Sequence, residues 1–227
     1  IIIHSTFLKN NIINDASNLV VIPHGAYQNP IFLDKDLCKK KLGLCEYDII
    51  TIFGYIDERK GYDRILRILP RLERKVILLI AGGLPNPCSK FQKACFERLK
   101  EEEKRSGKVR ITGYLSDREI PIVLNASDIL LLPYTRVTQS GILNIALAYR
   151  KPIIASDLPY FREIKEEYKC IEVAKDEEEF LEKIKNILEN EKLKRKLAKV
   201  AYKYWTKNNW KEVAKRHINV YRRLLNG

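Results

Sequence analysis

Two short segments contain the residues that could do chemistry in this chain. The first is Thr138-Gln139-Ser140-Gly141, which lies between an apolar run and a stretch with helical spacing. A helix that begins after Ser140 would present unpaired N–H groups and the positive end of its dipole. Gly141 would let a phosphate oxygen approach the backbone closely. The segment therefore suits an anion site, and an ordinary helix cap is the alternative, because Ser is common at that position.

The second segment runs from Gly54 to Gly61 and follows another apolar run. Gly54 permits close approach to the backbone, and Lys60 places a cation beside the free amides of the next helix. Donors of this kind suit an anion at the carboxyl edge of the sheet. The alternative is that Glu58, Arg59 and Lys60 form only a polar helix start.

Apolar runs and helical stretches alternate around these segments. Short apolar runs predict strands, and longer stretches with helical spacing predict helices. The predicted strands are residues 1–4, 19–22, 48–53, 76–81, 109–112, 129–132, 151–155 and 170–173; the predicted helices are 5–13, 62–72, 90–104, 117–125, 141–150, 177–188, 191–205 and 210–225; residues 28–41 are predicted to be a polar connection. Strands separated by such helices form a parallel sheet covered on both faces. We therefore predict an α/β fold, a Rossmann-like doubly wound parallel sheet with extra C-terminal helices.

Ligands of doubly wound sheets bind outside the carboxyl ends of the strands. Both segments above follow predicted strands, which places them at that edge of the sheet. A third glycine-containing loop, Gly82-Gly83, follows the predicted strand 76–81. We expect this pair to form a tight turn with positive φ and to have a structural role.

A positive charge balance is the main feature of the composition. The 227 residues include 42 Lys and Arg against 29 Asp and Glu, which gives a formal charge of +13. This charge suits an anionic ligand, a nucleic acid or an acidic membrane surface, and it does not choose among them. Abundant Lys, Glu and Ile, with no Met, would suit a thermophile.

Cysteine and histidine usage narrows the class of protein. The five cysteines form no C-x-x-C pair, which predicts reduced thiols in a cytoplasmic protein. The three histidines are not clustered, so no protein-ligated metal is expected. No apolar run approaches the roughly 20 residues of a membrane span.

Residues 132–164 read LPYTRVTQSGILNIALAYRKPIIASDLPYFREI. This stretch resembles the donor-binding segment of the retaining GT-B glycosyltransferases of family 4, in the branch with P-Y-x-x-x-T-Q-S-G followed by A-x-A-x-x-K-P-x-I-A. FGYIDERKGYD, at 53–63, is similar to the G-x-x-x-x-x-K-G segment of that family. VRITGYLSDREI, at 109–120, resembles the segment that begins V-x-F-x-G.

The motif VIPHG, at 21–25, resembles the segment with which GT-B enzymes cross from their first domain to their second. The resemblance implies that this chain is the C-terminal half of a GT-B fold. Residues 1–26 would be a remnant of the N-terminal acceptor domain with its linker, 27–205 the nucleotide-sugar-binding domain, and 206–227 a C-terminal crossover helix. The apolar stripe of that helix would pack on the first domain, and membrane attachment through its basic face is the alternative.

The resemblance also implies roles for residues at three subsites. The diphosphate-binding residues would be Lys60, Arg59, Ser140, Gly141 and Ile142; the sugar-binding residues Gly54, Thr138 and Gln139; and the base-binding residues Gly113, Tyr114 and Leu115. No catalytic residue is assigned, and no metal or other cofactor is expected beside the nucleotide-sugar substrate.

The chain departs from the family pattern around the diphosphate. Many relatives carry two glutamates near the binding helix, where this chain has Val137 and Ile145. The arginine that usually accompanies the lysine is also absent, because Tyr55 and Asp57 occupy its usual positions. Recognition of the ribose must then come from other groups or be weaker.

A protein of this family would transfer a hexosyl group from a UDP-sugar or a GDP-sugar to an acceptor hydroxyl, with retention. The acceptor, a sugar or a lipid-linked molecule, would bind through the N-terminal domain, so this chain alone is expected to bind nucleotide and to transfer little. The location would be cytoplasmic, and peripheral contact at the inner face of the membrane is an open alternative. The missing glutamates leave a second interpretation open, a catalytically inactive nucleotide-binding or regulatory module. A nucleic-acid partner is not expected, because the chain lacks the interleaved aromatic residues of such grooves.

Overall fold

The computed structural model describes residues 1–6 and 19–225 of the chain. Within that part, helices cover both faces of a 6-stranded parallel sheet, and a second sheet has two strands. The strands are β1 Ile2–Ile3, β2 Val20–Val21, β3 Asp48–Phe53, β4 Val76–Ala81, β5 Val109–Ile111, β6 Ile129–Leu132, β7 Ile153–Ser156 and β8 Glu172–Ala174. The helices are α1 Lys35–Leu42, α2 Tyr62–Ile68, α3 Lys90–Ser106, α4 Ile120–Ala126, α5 Gly141–Ala148, α6 Pro159–Tyr168, α7 Glu177–Glu189, α8 Glu191–Asn208 and α9 Trp210–Leu225. The predicted α/β, Rossmann-like fold is confirmed.

The larger sheet has the strand order β5–β4–β3–β6–β7–β8, with all neighbours parallel. The chain winds outward from β3 to β5 in one direction and from β6 to β8 in the other. The order therefore reverses between β3 and β6, which pair through Ile50 and Ile129. In doubly wound sheets the crevice at such a switch point, outside the carboxyl ends of the strands, binds the ligand.

Continuous apolar runs form the central strands because both faces of the sheet are covered. In β3, Ile49 packs in the core on one face of the sheet, and Ile50 and Ile52 pack in the core on the other. Helix α5 is buried as its composition predicted, with Leu143 and Leu147 both 0% exposed. Packing against α8 closes the outer side of α5. The N-terminus of α5 is thus fixed relative to the sheet.

Two helices were not predicted. Residues 35–42, expected to belong to a polar connection, form α1, whose N-cap Asp34 accepts a hydrogen bond from the Leu37 N–H at 2.8 Å. This helix has few apolar residues, so no periodic stripe marks it. Helix α6 begins at Pro159, a residue suited to the first turn because its missing N–H needs no partner there.

Other boundaries differ by a few residues. Helix α2 ends at Ile68 and continues as a 3₁₀ turn, Leu69–Arg71, because Pro70 cannot donate the next helical hydrogen bond. Helix α5 ends at Ala148, and Arg150, predicted to be helical, has a left-handed φ of 55°. The strands β3, β4 and β6 have the predicted bounds.

The N-terminal strands β1 and β2 form a separate parallel pair. Of the helix predicted for residues 5–13, positions 7–13 lie outside the described residues. The segment that follows β2 packs against α9, since a side-chain carbon added to Gly25 would lie 2.4 Å from the Trp210 ring. The proposed boundaries at residues 26 and 205 stay a prediction, and α8 runs to Asn208.

Helix α9 keeps an exposed apolar stripe. Trp210 is 46% exposed and Tyr221 52%, whereas Val213 is buried against the rest of the chain. Packing on another domain and contact with a membrane surface therefore both stay predictions. None of the helices in the described part of the chain is long and apolar enough to cross a bilayer.

A buried ion cluster attaches α1 to the sheet. The carboxylate of Asp128, only 5% exposed, accepts a hydrogen bond from the Ile49 N–H at 2.8 Å and pairs with Lys39 at 2.9 Å and with Lys35. Burial alone would raise the pKa of Asp128, but the two lysines and the Ile49 N–H outweigh it and lower the pKa below its usual value. The cluster therefore stabilises the fold above about pH 4 and loses that contribution as the pH falls through the lowered pKa.

We expect Asp128→Asn to lower the free energy of unfolding by about 3 kcal/mol, because it leaves buried lysine charge uncompensated. Urea unfolding at pH 7 measures the loss, and Asp36→Asn, on the exposed side of α1, is the matched control. The difference between wild type and Asp128→Asn should shrink below about pH 4. Equal midpoints at pH 7 would contradict the structural role of the cluster.

Candidate functional site

Both predicted anion-binding segments lie at the switch point between β3 and β6. Two adjoining clefts occupy this crevice. The first, named the aromatic cleft, has a volume of about 420 Å³ and is lined by Gly54, Tyr55, Lys60 and Tyr114 among others. The second, named the helix-end cleft, has a volume of about 250 Å³ and is lined by residues 134 and 136–142 together with Asp57, Arg59 and Lys60.

Helix α5 opens onto the helix-end cleft. Ser140 is its N-cap, and the Ser140 hydroxyl accepts a hydrogen bond from the Leu143 N–H at 3.1 Å. The N–H groups of Gly141 and Ile142 belong to the first turn, so they have no acceptor within the helix. Both residues line the cleft, where the helix dipole favours an anion. The helix cap, which was the alternative interpretation, is present, and Gly141 and Ile142 line the cleft beside it.

Lys60 lines both clefts and brings a cation to their junction. Its ammonium donates a hydrogen bond to the Phe53 carbonyl oxygen at 2.5 Å. A side chain on Gly54 would approach that ammonium to 3.0 Å, so glycine leaves room for it. Burial lowers the pKa of Lys60 to about 7; Asp57 acts in the opposite direction and Arg59 lowers the pKa further.

The turn that carries Lys60 is held against the end of β6. Gly61 has a φ of 66°, and a side-chain carbon there would lie 1.9 Å from the Pro133 carbonyl oxygen. The Thr135 N–H also donates a hydrogen bond to the Arg59 carbonyl oxygen at 2.9 Å. Lys60 and the segment that leads into α5 are therefore parts of one rigid unit.

Arg59 lines both clefts, but its guanidinium forms a two-pronged ion pair with Asp57, at 2.7 and 2.8 Å. This hydrogen bonding lowers the pKa of Asp57 to about 2, so the carboxylate stays charged and compensates Arg59. A role for Arg59 in phosphate binding stays a prediction. Arg136, which belongs to no predicted binding motif, is an exposed cation that lines the helix-end cleft.

The residues predicted to bind a sugar meet at the same place. Thr138 and Gln139 are exposed and line the helix-end cleft, and Gly54 lies in the aromatic cleft next to Lys60. Of the two positions where relatives carry glutamate, Val137 lines the helix-end cleft and Ile145 packs against the core. Neither side chain can accept a hydrogen bond.

Two of the three predicted base-binding residues line the aromatic cleft. Tyr114 and Leu115 line the aromatic cleft, whereas Gly113 does not line it and instead has a turn conformation with φ of 75°. Tyr55 was not predicted to bind a base, and its ring lies 6.4 Å from that of Tyr114.

The prediction of a positive-φ turn at Gly82-Gly83 is wrong, because neither residue has a positive φ. Glycine is required there for close packing. A side-chain carbon on Gly82 would lie 2.3 Å from the Gly54 carbonyl oxygen, and one on Gly83 would lie 2.8 Å from the Tyr114 nitrogen. Both residues line the aromatic cleft.

The profile of the family described as glycosyl transferases group 1 matches residues 34–204 of this chain. That range contains every residue named in the two clefts. A comparison with curated protein sequences found no match. Among the described residues, no group of three or more His, Cys, Asp or Glu side chains could hold a metal ion.

Several solved structures have a similar fold. A sucrose-phosphate synthase from Thermosynechococcus elongatus superimposes with a TM-score of 0.80 and 21% identity, over 99% of this chain and 58% of that protein. HepE from Anabaena, in complex with UDP and glucose, superimposes with a TM-score of 0.81 and 16% identity, over 100% of this chain and 63% of that protein. A glycosyltransferase from Rickettsia africae superimposes with a TM-score of 0.81 and 20% identity, over 99% of this chain and 63% of that protein. The chain thus spans about three fifths of the length of these proteins.

We predict that Lys60→Met weakens binding of inorganic pyrophosphate in a pH-dependent way. Lys60 is charged below about pH 7 and loses its charge as the pH rises through that value. Calorimetry should show wild type binding roughly 30-fold more tightly than the variant at pH 6, as for a hydrogen bond to a charged group, with a smaller ratio at pH 8.5. Pyrophosphate also titrates in this range, but its titration affects wild type and variant equally and therefore cancels in the ratio of their affinities.

The same substitution should raise the urea midpoint, because it removes a buried cation whose desolvation opposes folding. Lys192→Met, on the exposed surface of α8, should change neither property. A pyrophosphate affinity that Lys60→Met leaves unchanged at pH 6 would show that Lys60 does not bind the anion.

Proposed function

The chain belongs to the family of glycosyl transferases group 1, and we propose that it binds a nucleoside diphosphate sugar at the switch point of its sheet and transfers the glycosyl group to an acceptor hydroxyl. The observation that carries this proposal is that Lys60, Gly141 and Ile142 line one cleft. A half-buried ammonium and the open end of a helix both favour an anion with several oxygens. A diphosphate fits this combination of donors.

In the proposed reaction, the bond between the anomeric carbon and the diphosphate oxygen breaks, the acceptor oxygen bonds to that carbon, and the acceptor proton passes to the leaving diphosphate. Negative charge grows on the diphosphate as it leaves. Donors held in position before the reaction stabilise that charge without reorganisation. Lys60 and the amides of Gly141 and Ile142 would supply this stabilisation, with Ser140 orienting the helix and Arg136 adding a solvent-facing charge. The reaction we propose proceeds with retention and needs no metal.

Thr138, Gln139 and Gly54 are proposed to contact the sugar, because they lie beside the diphosphate donors. The donor we propose is a UDP-sugar or a GDP-sugar; HepE, whose fold is similar, has been crystallised with UDP-glucose. A sugar or lipid-linked acceptor would bind on a further domain facing the clefts, in the cytoplasm and at the inner face of the membrane. In this arrangement the present chain corresponds to the C-terminal domain of a GT-B enzyme of family 4.

A second candidate function is a nucleotide-binding module without catalysis. The observation that favours it is the apolar pair Val137 and Ile145, which occupies the positions where many relatives have glutamates. Such a module would bind the diphosphate with the same donors as the proposed enzyme, and it would differ from the enzyme only by having no turnover.

Gly141→Ala should weaken UDP binding at least ten-fold, because a methyl group would occupy the space through which a phosphate oxygen approaches the helix amides. Apart from its chain neighbours and the backbone of its own helix, no atom lies within 4 Å of the position of that methyl group, so the fold can accept it. The urea midpoint should stay the same or rise, since Ala favours a helix by up to about 1 kcal/mol over Gly. Unchanged UDP affinity in a folded variant would exclude the helix end from the site.

Turnover separates the enzyme from the inactive module. We expect the complete protein that contains this chain to release UDP or GDP from one member of a panel of nucleotide sugars when acceptor is present. Lys60→Met should lower kcat/KM at least 100-fold, by about 2.7 kcal/mol of transition-state stabilisation. Tight binding of the nucleotide sugar with no release, across the panel, would favour the regulatory module.

A further inference from the structure

A surface at the opposite edge of the sheet from the two clefts combines exposed aromatic rings with exposed cations. Helix α5 begins at the helix-end cleft and ends just before Tyr149 and Arg150, which lead into the start of β7. These two residues therefore lie near the amino ends of the strands. The segment 27–33 and helix α8 meet them there. We name this surface, formed by residues 27–33, 149–150 and the exposed side of α8, the amino-edge face.

Ring contacts join the three parts of this face. The guanidinium carbon of Arg150 lies 4.8 Å from the centre of the Phe32 ring and 4.3 Å from the centre of the Tyr202 ring. The Trp205 indole N–H donates a hydrogen bond to the Tyr27 carbonyl oxygen at 2.7 Å, which ties α8 to the segment 27–33. Phe32, Tyr202 and Tyr27 are nevertheless exposed. The contacts therefore fix the positions of rings that remain accessible from outside.

Arg150 has a backbone conformation that favours glycine. Its φ is 55°, in the left-handed region, and glycine is the usual residue at this position after a helix, because it has no side chain to oppose that conformation. Within residues 1–6 and 19–225, the guanidinium forms no hydrogen bond and no ion pair, so its N–H donors are available to an external anion. A non-glycine residue kept in such a conformation is typical of functional sites.

The exposed side of α8 carries charge of one sign. Residues 192–208 include six lysines and one arginine and no acidic residue. Lys194 pairs with Glu191. The other six cations are exposed, and none of them forms an ion pair in the part of the chain that the structure describes: Lys192, Arg195, Lys196, Lys199, Lys203 and Lys207. Beyond Glu191, this side of α8 is therefore positive along its whole length.

Apolar side chains are exposed beside these cations. Ile31, Phe32 and Leu33 are consecutive, and they are 55%, 51% and 39% exposed. Three consecutive exposed apolar residues are unfavourable on a surface that meets only water. A nucleic acid would match the charge but offers no apolar phase for aliphatic side chains, whereas a bilayer with anionic headgroups offers both. Tyr and Trp rings are also typical of the interface between membrane and water.

We infer that the amino-edge face binds the surface of a membrane that contains anionic phospholipids. Clusters of roughly four to eight Lys and Arg beside exposed apolar residues bind such surfaces. The rings and aliphatic side chains enter the headgroup region, and the cations of α8 and Arg150 meet the lipid phosphates. Because the clefts lie at the other edge of the sheet, binding here leaves the donor site open. The inference thus goes beyond the proposed function and does not depend on it, and it uses a different surface from the stripe of α9.

Cosedimentation of the full chain with lipid vesicles tests the inference. We expect binding to vesicles of phosphatidylcholine with about 30% phosphatidylglycerol, and little binding to phosphatidylcholine alone, because the cations need anionic lipid. Salt at about 0.5 M should release the protein, since it screens the attraction. Equal binding to the two kinds of vesicle, or no binding by wild type to either, would overturn the inference; in the second case an acidic soluble partner would be the better match to the face.

Two triple variants test whether the charge of α8 is responsible. Replacing three lysines of α8 should lower the partition coefficient by roughly 30-fold or more, because each cation near an anionic surface contributes roughly five-fold. Replacing three exposed lysines of α3 removes the same charge from another surface and should have little effect. An equal loss in both would show that binding follows net charge alone and would overturn the inference. The variants are Lys196→Gln/Lys199→Gln/Lys203→Gln on α8 and Lys90→Gln/Lys93→Gln/Lys104→Gln on α3.

Phe32→Ser tests the apolar part of the face. It should lower the partition coefficient roughly ten-fold, because it removes a ring that the membrane would bury. Phe91→Ser, on α3, is the matched control, since that ring is 75% exposed and lies away from the face. Arg150→Gly should lower the coefficient roughly five-fold, and glycine suits the φ at that position, so the variant should fold. Urea unfolding checks that each variant is folded.

Two further measurements separate this inference from its rivals. Tyr221→Ser, on the stripe of α9, should leave vesicle binding unchanged; a loss there, with Phe32→Ser binding as wild type, would assign the attachment to α9 and overturn the inference. The affinity for UDP should be the same in wild type and in the variants of the face. Failure of wild type to bind UDP while it still binds anionic vesicles would overturn the proposed function and leave the inference standing.

Discussion

The site depends on one close backbone contact. Gly61 packs so tightly on the Pro133 carbonyl oxygen that a side-chain carbon would lie 1.9 Å from it. This contact joins the turn after β3 to the segment after β6, on the two sides of the switch point of the sheet. The hydrogen bond from Thr135 to Arg59 strengthens the junction. Because of it, the ammonium of Lys60 and the N-terminus of α5 keep a fixed relation in the absence of ligand.

Electrostatics at this junction are arranged for an anion. Lys60 is held where burial opposes its charge, which destabilises the fold at neutral pH and lowers the lysine pKa to about 7. The adjacent Asp57–Arg59 pair has no net charge, so the positive potential comes from Lys60, the helix dipole and Arg136. An anion bound there, as proposed, would offset part of the desolvation cost of Lys60. By contrast, the buried carboxylate of Asp128 is paired with two lysines, and this pairing stabilises the attachment of α1.

The sequence predicted the features that depend on local pattern. Apolar runs identified β3, β4 and β6, and the rule that ligands bind outside the carboxyl ends of parallel strands placed Lys60 and Ser140 at the same edge of the sheet. Features that depend on packing partners were missed: α1 has no apolar stripe, and Gly82 is glycine because of the Gly54 backbone beside it. The pairing of Arg59 with Asp57 and the approach of Tyr55 to Tyr114 follow from three-dimensional neighbours, which spacing along the chain does not encode.

The central claim is that Lys60 and the first amides of α5 bind the same pyrophosphate. A crystal structure of this chain with UDP tests it most directly. The account predicts that the diphosphate lies between the Lys60 ammonium and the N–H groups of Gly141 and Ile142, within hydrogen-bonding distance of both, about 2.7 to 3.2 Å. A diphosphate bound elsewhere, or one that contacts Lys60 while a side chain or water covers the end of α5, would contradict the account.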